Sequence, residues 1–352
     1  MVQRSRVRRN AQAGTEALVA PEGPVVTPGF HPLADFANFG PNEVEMLHEA
    51  GTDLEVFTKA IAESVCDYLA GCLPRLGISG ASVDEDLVEE WLIRSSTGPF
   101  DREFADYLRG VTHVGGGTTF PGVSVPLPPH MVIGLIAWLE GEILVHLGDV
   151  SDTITLSGVG GIWMDQLMLQ LGVMLEPVLG SPNGPRDYGR GRTAELHPYA
   201  ELAGFGMAEG CLLGETGALL EPAGNGVISL AYSYLLSRPE SAGYFQNADP
   251  YRINGNVGEY LPKVANAHVK VKGGGDDPHQ EIPPQLTIAL MGWVEMRVMT
   301  ALNTVAFDSA GAATFGELGD PGVLADVGKA WMKMLTLQLG ALIDPYLKDS
   351  AA

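Results

Sequence analysis

Apolar positions along this chain recur at helical spacing. In "VDEDLVEEWLIRS", Val88, Leu92 and Ile93 follow a run of acids, which suits the start of a helix. In "LTIALMGWVEMRVMTAL" the apolar residues nearly surround the helix, with Glu295 and Arg297 as the breaks. That pattern predicts a helix buried on most sides. "LMLQLG" and "LTLQLG" behave alike and carry Gly172 and Gly340 inside them. A mid-helix glycine costs up to about 1 kcal/mol relative to alanine, so close backbone approach to another helix is the expected reason. No alternating segment is long enough for a sheet. The predicted fold class is all-α.

The pattern occurs twice. "HPLADFANFG" at His31 is answered by "HPYAELAGFG" at His197. "VIGLIAWLEGEIL" around Trp138 is answered by "TIALMGWVEMRVM" around Trp293, and "WMDQLMLQLGVMLEPVL" at Trp163 by "WMKMLTLQLGALIDPYL" at Trp331. Three paired blocks in one order indicate duplication. The expected organisation is a flexible basic tail (1–30), a first unit (31–179), a Gly/Pro/Arg linker (180–196) and a second unit (197–348).

Charge narrows the function classes. The chain has 21 Lys and Arg against 43 Asp and Glu, a net charge of −22. Such a body repels phosphate backbones, so nucleic acid is not an expected partner. Arg4, Arg6, Arg8 and Arg9 oppose the trend and suit a solvated tail or a docking arm for an acidic protein partner. No apolar run follows them, and the most apolar stretch carries Glu140 and Glu142, so neither a secretory signal nor a transmembrane segment is expected. Cys66, Cys72 and Cys211 are too few for a disulfide framework and their spacing is no zinc motif, which fits a cytoplasmic setting. Gly115–Gly117 and Gly273–Gly275 lack the residues of a phosphate loop and read as connectors. His268, His279 and Glu281 match no standard metal spacing. No nucleophile–base arrangement can be argued from spacing, so no enzymatic activity is expected.

Several stretches resemble protoglobins and the globin domain of globin-coupled sensors. "AWMKMLTLQLGALIDPYL" looks like that family's last helix, "IPPQLTIALMGWV" like the start of its penultimate long helix, and "LAYSYLLSRPESAGYF" like its second helix and exit. "EYLPKVANAH" resembles the segment ending in the haem-binding proximal histidine. The resemblance covers nearly all of both units. It implies two globin-like helical domains, paired within one chain through their last two long helices as a pseudo-dimer.

It also implies site residues. The family's proximal histidine stands eight residues after a tyrosine, which gives His268 after Tyr260 but Gly115 after Tyr107. His113 falls two residues early, about 200° away on a helix. His268 is thus the candidate ligand, to metal only through haem iron. Tyr232 is the candidate distal-pocket residue, matched by Cys66 in the first unit. The interval from Tyr68 to Tyr107 is 39 residues, but from Tyr234 to Tyr260 only 26. The first unit therefore keeps the distal helix without the ligand, and the second the ligand without that helix. A haem held from both faces needs both. The expectation is a non-enzymatic structural or interaction protein without haem, the alternative being a haem-binding gas sensor or carrier that uses His268. A non-haem ligand, such as a fatty acid or another pigment in an emptied cavity, is a third possibility.

Overall fold

The computed structural model describes residues 34–37, 39–179, 202–239, 241–242, 284–308 and 319–347. The expected tail (1–30), the linker (180–196), His268 and most of the glycine-rich insert before Asp320 lie outside the described residues.

The described residues form helices α1 (Ala34–Ala37), α2 (Pro41–Arg75), α3 (Glu85–Thr97), α4 (Arg102–Thr112), α5 (Pro129–Val150), α6 (Thr153–Leu175), α7 (Met207–Ser237), α8 (Pro284–Asp308) and α9 (Pro321–Ile343). A 3-10 turn, Asp344–Tyr346, follows α9. Among the described residues β-pairing is confined to two isolated bridges, Val83 with Val123 and Leu179 with Leu347. The all-α class stands.

Local chemistry sets the helix starts. Asp84, Asp101 and Asp152 accept the backbone N–H of Leu87, Phe104 and Thr155 at 3.2, 3.0 and 2.8 Å. Each satisfies a donor that the first turn of α3, α4 or α6 leaves open. The two longest helices begin alike. The N–H of Gly40 donates to Glu43 at 3.0 Å before α2, and that of Gly206 to Glu209 at 2.9 Å before α7.

Four apolar helices make the core. α5 packs along α9 and α6 along α8, the most extensive contacts in the fold. α5 against α6, and α8 against α9, are lesser contacts. Helices close in sequence therefore pack mainly on helices from the other end of the chain. α5 is long and apolar enough to cross a membrane by length and composition, but most of that stretch is buried inside the protein. Burial of Ile288, Ala289, Trp293, Val298 and Met299 agrees with the near-continuous apolar pattern of α8.

Glycines let these helices approach closely. A Cβ on Gly160 of α6 would lie 2.7 Å from Leu144, and one on Gly328 of α9 would lie 2.9 Å from Met299. A Cβ on Gly161 of α6 would lie 3.1 Å from Met296 of α8, and one on Gly141 of α5 would lie 2.7 Å from Lys329 of α9. Gly172 and Gly340, the glycines singled out by the pattern, are both buried in α6 and α9.

Two tyrosines tie the ends together. The Tyr68 hydroxyl on α2 donates to the Leu202 carbonyl, and the ring stacks on Trp138 with centroids 4.3 Å apart. The Tyr234 hydroxyl on α7 donates to the Phe36 carbonyl at 2.5 Å, and its ring stacks on Trp293 at 5.1 Å. Each tyrosine thus reaches the segment that precedes the other's helix.

Candidate functional site

In the first half of the chain, α3 lies against α2, and its Trp91 reaches the carboxy-terminal part of α6. Trp91 is fully buried. Its indole N–H donates to Gln170 Oε1 at 2.6 Å, and the Gln170 amide donates to Ser95 Oγ at 3.2 Å. The Trp91 ring meets Phe120 edge-on at 5.2 Å. Burying an indole and an amide together is tolerable because each supplies what the other needs. The interior beside α3 is occupied by this side-chain network.

The loop after α4 is sewn to the end of α6. The last turn of a helix leaves carbonyls without intrahelical donors. His113 Nε2 lies 3.0 Å from the Val173 carbonyl, so that nitrogen carries the proton, and Thr118 donates to the Met174 carbonyl. Arg109 adds a two-pronged contact to Glu176 at 2.8 and 3.0 Å. Gly115, the position where the ligand register falls, has a φ of 59°. Backbone in the left-handed region suits glycine. In this half the register position has no side chain, and His113, two residues earlier, is held by the Val173 carbonyl at the end of α6.

The sequence-predicted residues of the other half are less fully placed. Tyr232 lies on α7, but its side chain is outside the described residues, as is the whole of His268. Cys66, matched to Tyr232, is half-buried, and burial pushes its thiol up to about 11. Such a thiol is a poor nucleophile at neutral pH. Among the described residues, no group of three or more His, Cys, Asp or Glu is placed to hold a metal ion.

A second polar site lies at the centre of the four-helix core. Glu140 of α5 and Glu295 of α8 are both fully buried. Both contact one hydroxyl, that of Thr336 on α9, at 2.6 Å from Glu140 Oε2 and 3.1 Å from Glu295 Oε1. Among the described residues, the outer oxygens, Glu140 Oε1 and Glu295 Oε2, have no hydrogen-bond partner, nor has either oxygen of the buried Asp165 on α6. Burial pushes Glu140 up to about 8. It pushes Glu295 well above the usual carboxylate range, and the charge of Glu140 pushes the same way. Burial also raises Asp165, with a further push from Glu43. Desolvation disfavours the charged form of each.

The cations on neighbouring helices serve other partners. Lys329 pairs with Glu142 at 2.9 Å. Lys333 pairs with Glu209 at 3.3 Å and donates to the Gly204 carbonyl at 3.1 Å. Arg297 lies over the Trp293 ring at 5.1 Å. Sequence reading marked Glu295 only as a break in an apolar helix. The signal that could have found the pair was the Trp-x-Glu that both matched blocks share, at Trp138–Glu140 and Trp293–Glu295.

No family model, curated protein or solved structure gives a significant match to the chain.

Proposed function

We propose that the chain is a non-enzymatic scaffold made of two protoglobin-like units, paired within one molecule and acting through protein contacts. The observation that carries this reading is the reciprocal packing of the four core helices, α5 on α9 and α6 on α8. In such a pseudo-dimer the last two long helices of one unit lie on those of the other. The crossed tyrosines support it: Tyr68 and Tyr234 stand at matched positions and reach the matched residues Leu202 and Phe36. The filled interior beside Trp91 favours a scaffold over a haem carrier in the first unit. The arginines at positions 4, 6, 8 and 9 would suit an acidic protein partner.

The test is a visible spectrum of the full chain, purified after growth with haem supplied, together with its mass by light scattering. A colourless monomer is expected. A strong Soret band that His268→Ala abolishes would overturn the scaffold reading and establish the haem-binding one.

A further inference from the structure

We propose that Glu140 and Glu295 form a proton-held joint between the two ends of the chain, closed while they share protons around the Thr336 hydroxyl and loosened as those protons leave. The proposal stands on the local geometry and does not depend on the globin-like reading.

Counting hydrogens leads to it. Thr336 Oγ1 lies 2.6 Å from Glu140 Oε2, 3.1 Å from Glu295 Oε1 and 3.0 Å from the Met332 carbonyl. One hydroxyl carries one proton, and a carbonyl can only accept. If Thr336 donates to Met332, both carboxyls must donate to Thr336. If it donates to one carboxyl, the other must donate to it. For both carboxyl contacts to be hydrogen bonds, at least one glutamate must be protonated.

The surroundings keep the protons in place. On α6, Asp165 adds a negative influence on Glu295, and on α2 Glu43 adds one on Asp165. On α8, Arg297 stands toward Glu43 and Tyr234. On α9, Lys329 is held by Glu142 of α5, and Lys333 by Glu209 of α7. None of these cations has a hydrogen bond or ion pair with Glu140 or Glu295 among the described contacts. An ionised carboxylate here would be a buried charge with an unpartnered oxygen, which is costly.

The direction with pH follows. The closed joint binds protons more tightly than solvated carboxyls do. Its advantage is full below the usual carboxylate range and declines as pH rises, through about 8 for Glu140, with Glu295 raised in the same direction. α5, α8 and α9 meet at this point, so the joint couples proton concentration to how firmly the ends of the chain hold each other.

Infrared spectra and amide hydrogen exchange of the full chain, from pH about 6 to about 10, test this. A protonated-carboxyl band is expected at the acid end, fading as pH rises and weakened in the Glu140→Gln/Glu295→Gln variant, which keeps only the share of the buried Asp165. The opening equilibrium of α5 and α9, corrected for intrinsic exchange, should rise in the wild type by up to about tenfold per pH unit for each proton that opening releases. It should rise less steeply in the variant, whose amides mimic the protonated acids and leave only Asp165 to titrate. No band in the wild type, a band that both substitutions leave undiminished, or opening that is independent of pH would each overturn the proposal. If the double variant fails to fold, Asp165→Asn decides the matter: it should keep both the band and the pH-dependent opening, and loss of both there would overturn the proposal.

Discussion

Gly292 on α8 offers a sharp test of how the core is built. A Cβ there would lie 2.7 Å from Asp165 Oδ1, 3.0 Å from Asp165 Cα and 3.0 Å from Met168 Cβ, all on α6. The carboxylate oxygen can swing away, but the Cα is backbone and cannot. Carbon atoms prefer about 3.5–4.0 Å, so Gly292→Ala must push α6 and α8 apart by roughly 0.5–1 Å. Overpacking of this kind costs about 1–3 kcal/mol. Alanine returns up to about 1 kcal/mol through its better helix propensity. The clash wins, and a net loss of about 1–2 kcal/mol is expected. Gly71 on α2 is the internal control, because a Cβ there meets nothing within 4 Å. Gly71→Ala should therefore stabilise by about 0.5–1 kcal/mol. Urea unfolding followed by circular dichroism reads both. The midpoints should move in opposite directions for the same chemical change. A Gly292→Ala midpoint at or above wild type would refute the close crossing of α6 and α8.

Further outcomes follow from single contacts. Tyr234→Phe keeps the stack on Trp293 but leaves the Phe36 carbonyl without its donor, and should cost about 1–2 kcal/mol in the same urea assay. Trp91→Phe removes the bond to Gln170 and opens space beside Phe120, so a loss of about 2–4 kcal/mol is expected. Arg109→Ala breaks a pair whose partners are each about a third exposed, and should change stability by less than about 1 kcal/mol, with the difference shrinking in high salt.

The helices were legible in the sequence because burial imposes a period. The acidic start and apolar face of "VDEDLVEEWLIRS" correspond to α3, and the nearly encircled apolar pattern of "LTIALMGWVEMRVMTAL" to the buried α8. Partners were harder to read. Nothing in the spacing of Trp91 and Gln170 announces a hydrogen bond between residues so far apart in the chain. His113 was expected to point away from a ligand position along a helix, but it caps the end of α4 and binds the Val173 carbonyl. Glu140 and Glu295 were visible only as interruptions, because a one-dimensional pattern does not say which helices will meet. Charge in an apolar run ordinarily marks an exposed face. Here packing from several helices closes over it.

The crossings at Gly141 and Gly161 carry a consequence for the ancestry of the chain. Counting from the matched tryptophans, Gly141 corresponds to Met296 and Gly161 to Lys329. At these crossings the first end of the chain thus offers two small residues where the second offers two large ones. If the ends descend from one self-pairing ancestor, that ancestor's freedom to pair with itself is gone. Two copies of the first end would set glycine against glycine and leave a void. Two copies of the second would force methionine onto lysine. The two ends are unlike mates at these crossings, and a change on one side calls for a compensating change on the other.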